Sequence, residues 1–247
     1  MSILCFILCC CMLLHNDKYV TLYNNENLKG LVLCIVDSNQ WQSDSVVFSY
    51  NKENLLTGYK TFNEGKANGY CEYRYSGESR IDQYHYDNNG KVKRHCIIEY
   101  DDRKNITMIK EYGFIYPDTT RMVMLYLRCN SYDTENRIES AFEYFSDGSP
   151  SYRYRYSHDI DGTITQTRIN AATGKTFTIT KTTNDKFGNT VKVSEIAPQD
   201  SPEWHSATID YDYDNRGNWI TRKINGCDPR LMNSATNATR KIYYIEK

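Results

Sequence analysis

The sequence predicts an all-β fold: an antiparallel meander of consecutive β-hairpins forming one long twisted or curled repeat sheet. Three observations predict it. Short segments alternate with a period of two and are dominated by Thr, Tyr, Ile and Val, the residues that suit a pleated surface. Clusters of Asn, Asp and Gly separate them at intervals of roughly a dozen residues, the spacing of a meander. One turn sequence recurs along the chain with a mean step close to 27 residues. Composition agrees, because the 247 residues include 22 Tyr against 8 Phe and 3 Trp, and a tyrosine-rich sheet has hydroxyls that want water or a partner. With 30 Lys+Arg against 31 Asp+Glu, the chain lacks the field of a dedicated nucleic-acid binder, so no nucleic-acid partner is expected.

Taken in order, the chain opens with a twelve-residue apolar run, residues 3–14, which ends abruptly at His15-Asn16-Asp17-Lys18. It is too short to cross a bilayer as a helix and has the length of a signal-peptide core. No Lys or Arg precedes it and no Ala-x-Ala-like site follows. Leu8-Cys9-Cys10-Cys11 sets a Leu three positions before a Cys, as in a degenerate lipobox with Cys11 as the lipidated residue. Residues 1–17 are therefore expected to be a signal or lipoprotein-like export segment, with membrane anchoring through the N-terminus only; a buried first strand is the alternative. Residues 18–247 are expected to form a single domain.

The turn unit is clearest in Tyr213-Asp214-Asn215-Arg216-Gly217-Asn218-Trp219, followed by the strand Ile220 to Ile224. Aligned copies begin at Tyr23, Tyr50, Tyr75, Tyr100, Tyr132, His158 and Asn184. Two strands of about seven residues plus two turns consume about 25 to 28 residues, so the motif recurs at every second turn and lines one edge of the sheet. Tyr86-Asp87-Asn88-Asn89-Gly90 falls between copies and belongs at the opposite edge, with the turns at 144–148 and 170–174. Within the unit, Asp87, Asp101, Asp133 and Asp214 can accept backbone N–H bonds as Asx-turns, and Gly90 and Gly217 supply a positive φ. Asn218 and Trp219 close the unit. Tyr86, Tyr100, Tyr132 and Tyr213 end the incoming strands, each ring covering the neighbouring hairpin while its hydroxyl stays wet.

Between the turns lie the strands Cys71–Tyr75, Gln83–Tyr86, Tyr152–Tyr156, Thr163–Ile169 and Thr176–Thr180. In the third of these, Tyr152, Tyr154 and Tyr156 share one face and Arg153 and Arg155 the other. That interleaving is a candidate stacking surface for a sugar, and it also serves simply to clothe the wetter face of a sheet. Two longer interruptions, residues 197–205 and 225–238, are where binding would be grafted, and Trp204 and Trp41 are the candidate ligand contacts, the alternative being that either simply plugs the end of the core.

Chemistry for catalysis is missing from the motifs. His15, His85, His95, His158 and His205 sit in no catalytic pattern, and no Gly-x-Ser-x-Gly, His-Glu-x-x-His or phosphate loop occurs. The chain is not expected to be an enzyme or to hold a cofactor. A two-residue turn at Asn89-Gly90 would set His85 opposite Arg94 and His95 opposite Tyr84, pointing the two imidazoles to opposite faces and away from a shared metal. Asp159 with Asp161, and Asp212 with Asp214, offer only two carboxylates each, better explained as turn caps than as a calcium site, so no metal is expected. Of the nine cysteines, Cys34, Cys71, Cys96, Cys129 and Cys227 are scattered singly without Cys-x-x-Cys spacing and read mainly as small buried hydrophobes.

Tyr-Asp-x-x-Gly-Asn followed by an aromatic or aliphatic residue, as at 213–219, resembles the YD repeat of Rhs-type bacterial proteins. The tail Tyr211 to Arg222, closing in Thr239-Arg240-Lys241-Ile242-Tyr243-Tyr244, is similar to the final repeat of small YD-repeat proteins exported by Bacteroidetes. The resemblance covers about residues 20–245. It implies stacked β-hairpins, a location in the bacterial cell envelope or secreted, and a shell-forming or binding role to which carbohydrate binding is attached as a label. In the large toxin members the repeats wrap a C-terminal effector and end in Asp-Pro-x-Gly. Here Asp228-Pro229-Arg230-Leu231 lacks the Gly, and eight repeats are expected to be too few for a closed cocoon, leaving an open or self-curled sheet. The expected function is non-enzymatic binding of a glycan or an envelope protein; the alternative is a structural scaffold, remnant or accessory of a larger Rhs-like toxin or surface system.

Overall fold

The computed structural model describes residues 20–23, 26–39, 43–77, 79–115, 118–199, 201–226 and 237–245. The expected export segment with Cys11, and also Trp41 and Cys227, lie outside the described residues. A short hairpin, β1 (Val20–Tyr23) and β2 (Glu26–Lys29), stands apart from the main sheet. The main sheet runs through β3 (Val32–Asn39), β4 (Ser43–Tyr50), β5 (Leu56–Asn63), β6 (Lys66–Ser76), β7 (Ser79–Tyr86), β8 (Val92–Tyr100), β9 (Ile106–Ile115) and β10 (Asp118–Tyr132). It continues through β11 (Ile138–Tyr144), β12 (Pro150–His158), β13 (Thr163–Asn170), β14 (Thr176–Asn184), β15 (Thr190–Ala197), β16 (Ser201–Tyr213), β17 (Trp219–Asn225) and β18 (Ala238–Tyr244).

Every neighbour in this meander pairs antiparallel, and β18 pairs with β3, so the sheet closes into a sixteen-stranded barrel. This corrects the expectation of an open or self-curled sheet. The number of strands decides closure, and eight two-stranded repeats supply sixteen, enough to join the first strand to the last and remove both exposed edges. The seam is uneven. Seven register pairs join β18 to β3, from Ala238↔Asn39 to Tyr244↔Val32, whereas β17 and β18 meet only at Thr221↔Thr239 and Arg222↔Ala238.

An up-and-down meander sends alternate turns to opposite ends. The turns after β4, β6, β8, β10, β12, β14 and β16, which carry the motif copies at 50, 75, 100, 132, 158, 184 and 213, therefore gather at one end, the motif end. Turns 87–91, 145–149 and 171–175 lie at the far end, as the spacing predicts. The copy at Tyr23 departs from this scheme, falling in the separate β1/β2 hairpin.

Local turn chemistry follows the residue types. Oδ1 of Asp87 accepts from the amides of Asn89 and Lys91, and Asp101, Asp133, Asp185 and Asp214 repeat the pattern two and four residues on. The Lys91 amide first, helped by Lys93, holds the Asp87 carboxyl below its ordinary range. The fifth position is left-handed in these units, with φ 79° at Gly90, 65° at Lys104, 62° at Asn136 and 84° at Gly217. At residues 87–91 the turn is one residue longer than the expected two-residue loop, with the Gly90 amide bonded to Asp87 O and the Asp87 amide to Lys91 O. A bulge at Tyr86 absorbs the extra residue, so His85 still faces Arg94 and Tyr84 still faces His95.

Gly217 has a second constraint, since a Cβ there would meet the Phe187 ring at 2.7 Å, whereas at Gly148 (φ 83°) it would meet open space. Gly148→Ala is expected to cost about 1 kcal/mol for the left-handed backbone alone, and Gly217→Ala about 2 kcal/mol or more because the ring must also move. Urea denaturation of the two variants checks the difference.

Alternation along each strand gives the wall two unlike faces. Val32, Ile35, Val46, Phe48, Tyr59, Cys71 and Tyr73 are buried on the inner face, with Leu28 from β2 packed among them. The opposite face carries exposed Lys60, Glu72, Arg155, Lys181, Lys192, Lys223 and Lys241. Cys71 behaves as the buried hydrophobe expected of it, its thiol pushed up to about 12 by burial, and Cys34, Cys71, Cys96 and Cys129 are all free thiols. Sixteen strands are enough to leave an aqueous interior. Arg94, inward near the far end, is 55% exposed and pairs with Glu111 at 3.2 Å, so water reaches at least that mouth.

Candidate functional site: the turn belt and the inner wall

At the motif end the first residue of several units reaches back to the preceding unit. Tyr50 donates to Val32 O at 2.8 Å, Tyr75 to Leu56 O at 2.6 Å and Tyr132 to Ile106 O at 2.9 Å. His158, standing where the others have Tyr, places its Nε2 at 2.8 Å from Ile138 O. Tyr213 donates to the Asp185 carboxylate and Tyr244 to that of Asp214. The motif tyrosines were expected to keep wet hydroxyls; these instead latch one hairpin to the last. Tyr244 is a further copy of the position, 31 residues after Tyr213, which the missing Asp and Gly after it concealed.

The belt is completed by Asn218, 3% exposed. Its Oδ1 accepts from the Lys29 amide at 2.6 Å, and its Nδ2 donates to Lys29 O at 2.9 Å and to Tyr244 Oη at 2.7 Å. Arg216 stacks on the Tyr244 ring at 3.9 Å, and the Ile245 amide donates to Leu31 O. The end of β2 and the last strand, β18, thus meet at the last motif unit.

Farther along the inner wall, β10 to β14 bring the three expected tyrosines of β12 together. Glu143 accepts from Tyr126 at 2.9 Å, Tyr154 at 2.6 Å and Arg128 at 3.1 Å, and Arg128 donates on to Tyr156 at 2.6 Å. Tyr154 is 5% exposed, and burial first, then its bond to the Glu143 carboxylate, pushes its hydroxyl well above the ordinary range. Tyr152 lies nearer the far mouth, with Arg168 stacked on its ring at 3.6 Å and Phe177 tilted beside it at 5.6 Å. The three rings therefore face inward, and Tyr154 and Tyr156 are occupied by the ionic network.

The other expected residues separate. Trp204 was placed in a connection, but β16 already begins at Ser201, so Trp204 is a strand residue, 46% exposed on the outer face with Lys181 Nζ 5.3 Å from its ring. His95 points outward to Asp82 Oδ1 at 2.7 Å, and His85 points inward, taking a hydrogen bond from Gln83 at 2.8 Å. Asp161 caps the Thr163 amide, and Asp212 accepts from Thr221, which are structural roles.

Outside, Tyr70 stacks on Tyr86 (4.4 Å, 9°) and Tyr84 on His95 (4.2 Å, 7°). Parallel rings on adjacent strands, about 4.8 Å apart, stand on edge, so their faces serve each other and only edges meet water.

Burial, then the nearby Arg94 and Arg80 charges, lower the His85 pKa to about 4. The unfolded chain takes up this proton near pH 6.5, before the folded one, so stability is full above pH 6.5 and falls as pH drops towards 4. The expected loss is on the order of 2 kcal/mol after allowance for solvent contact. His85→Gln should flatten that part of the stability profile in urea titrations between pH 4 and 7.

The fold and belt define a class: a closed antiparallel β-repeat barrel whose hairpins are joined by side chains at one end. No family model matches the sequence, and no curated protein matches it. Among solved structures, a porin-like protein from Bacteroides uniformis shares the fold with a TM-score of 0.53 at 13% identity, covering 86% of this chain and 98% of that one. A porin-like protein from Bacteroides vulgatus gives 0.36 at 7% identity, covering 87% and 99%. The Tc holotoxin pore of Photorhabdus luminescens gives 0.35 at 12% identity, covering 73% of this chain and 12% of that one.

Proposed function

We propose that the chain is a non-enzymatic β-repeat barrel of the bacterial cell envelope or the secreted space, standing in water, whose inner wall receives a glycan or a protein partner. The observation that carries this reading is the inner wall itself. Arg80, Arg94, Arg128, Arg168, Arg222 and Arg240 all project inward, where a barrel built only to hold itself together would bury aliphatic side chains. The outer wall fits water. A lipid-facing barrel needs an apolar outer band about 25 Å tall, and each Lys or Arg at its midplane costs about 2–4 kcal/mol. The charged residues on the outer face oppose that placement, although the likeness in fold is to porin-like proteins.

The experiment has two arms. The purified barrel should stay monodisperse without detergent, and a glycan array together with an envelope-fraction pull-down should return a partner whose binding is lost when inner-wall residues are changed. Detergent dependence would overturn the placement in water. Failure to retain any partner would leave the scaffold reading, which the consumption of the motif tyrosines in hairpin-to-hairpin latches favours.

A further inference from the structure

Three of the inward arginines differ from the rest. Arg94 pairs with Glu111, Arg128 with Glu143 and Arg240 with Asp37. Arg80, Arg168 and Arg222 have no carboxylate within 4.0 Å among the described residues, and the Nε of each is buried without a hydrogen-bond partner. Each guanidinium instead lies on an aromatic face, Arg80 at 4.5 Å from Tyr73, Arg168 at 3.6 Å from Tyr152 and Arg222 at 5.3 Å from Trp219. A ring face holds a guanidinium in place without neutralising it, so its charge remains available to an anion.

Their placement is distributed. In the closed strand order five strands separate β7 from β13, three separate β13 from β17, and five separate β17 from β7. Arg80 stands near the motif end, Arg222 midway along β17, and Arg168 near the far mouth beside Tyr152 and Phe177. A ligand lying along the interior would pass all three, each from a different side.

We propose, building on the receptacle reading, that the interior binds an acidic polysaccharide, its carboxylates meeting Arg80, Arg168 and Arg222. The wall selects a glycan over an acidic peptide. Backbone donors and acceptors along a closed sheet are spent in the ladder, and an incoming peptide would leave its own amides unmatched. Sugar hydroxyls need only side-chain partners, and Gln166 and Thr178 flank Arg168 on the inner face. Guanidinium forks suit a uronate carboxylate, and neighbouring aromatic edges suit a sugar ring.

The test is fluorescence polarisation of the full chain with a labelled hexagalacturonate, beside labelled cellohexaose and labelled hexaglutamate. Binding of the uronate is expected, with affinity falling at least tenfold between 50 and 300 mM salt, on the order of what release of two to three counter-ions implies. Arg168→Gln should weaken it at least threefold and the triple Arg80→Gln, Arg168→Gln, Arg222→Gln variant at least tenfold. Arg155→Gln, which removes an exposed cation of the outer face, should change it less than twofold. Circular dichroism melting identifies any variant that fails to fold, and Arg168→Gln, at the mouth, then decides. Equal affinity for cellohexaose overturns the acidic-ligand inference while leaving the receptacle reading intact; tighter binding of hexaglutamate overturns the choice of a glycan. Uronate binding that ignores salt and Arg168→Gln, or no uronate binding at all, overturns the inference; loss of every glycan and protein partner overturns the receptacle reading as well.

Discussion

Asn218→Ala is expected to lower stability by about 3 kcal/mol and to loosen the barrel at its seam. Three hydrogen bonds disappear, two to the Lys29 backbone and one to Tyr244, at a residue that is 3% exposed. Net hydrogen bonds are each worth about 0.5–1.5 kcal/mol, and a buried donor left without a partner costs a further 1–3. Here the Lys29 amide and carbonyl both lose partners. Location magnifies the effect, since β17 and β18 share only two register pairs and the belt contact supplements that thin join. Urea denaturation should show the lower midpoint. Hydrogen exchange should show protection lost first in β18 and the β1/β2 hairpin, with β6 to β9 unchanged. Tyr244→Phe keeps the ring under Arg216 and removes only the hydroxyl that meets Asp214 and Asn218, so about 1 kcal/mol is expected. Equal stability of Asn218→Ala and wild type would show that the belt does not hold the seam.

The contrast between belt and seam explains what the sequence disclosed. Each turn is local: Asp214 accepts from Arg216 and Asn218 within five residues, and Gly217 takes a φ of 84°, so residue types alone revealed the unit and its end of the sheet. Closure depends on contacts such as Arg240 of β18 with Asp37 of β3, 203 residues apart, and no local pattern reports them. The tyrosines lie between these cases. Alternation correctly put Tyr152, Tyr154 and Tyr156 on one face, but which face becomes the inside is settled only when the wall closes. That is also why the hydroxyls expected to meet water were found on Val32, Leu56 and Ile106 carbonyls or on a carboxylate. The arginines were legible as residues and illegible as a set, because β7, β13 and β17 approach a common interior only in the barrel.

Glu143→Gln is expected to cost about 3–5 kcal/mol, the cost of leaving one member of a buried ion pair uncompensated. The side chains of Arg128 and Glu143 are 6% and 13% exposed, and the carboxylate accepts from Tyr126, Tyr154 and Arg128 together. An amide of nearly the same shape has one acceptor oxygen where the carboxylate has two, and its NH₂ group meets hydroxyls that were donating. Arg128 retains its bonds to Asn130 and Tyr156 but loses its counter-charge. The double variant Arg128→Met, Glu143→Leu removes both charges and should recover a large part of the loss, because a dry pair of similar volume carries no unpaired ion. A double-mutant cycle in urea, with Arg128→Met as the second single variant, measures the coupling. A near-additive cycle would assign the stabilisation to the tyrosine bonds rather than to the charge pair, and the inner wall would then tolerate an unpaired cation at Arg128 as it does at Arg168.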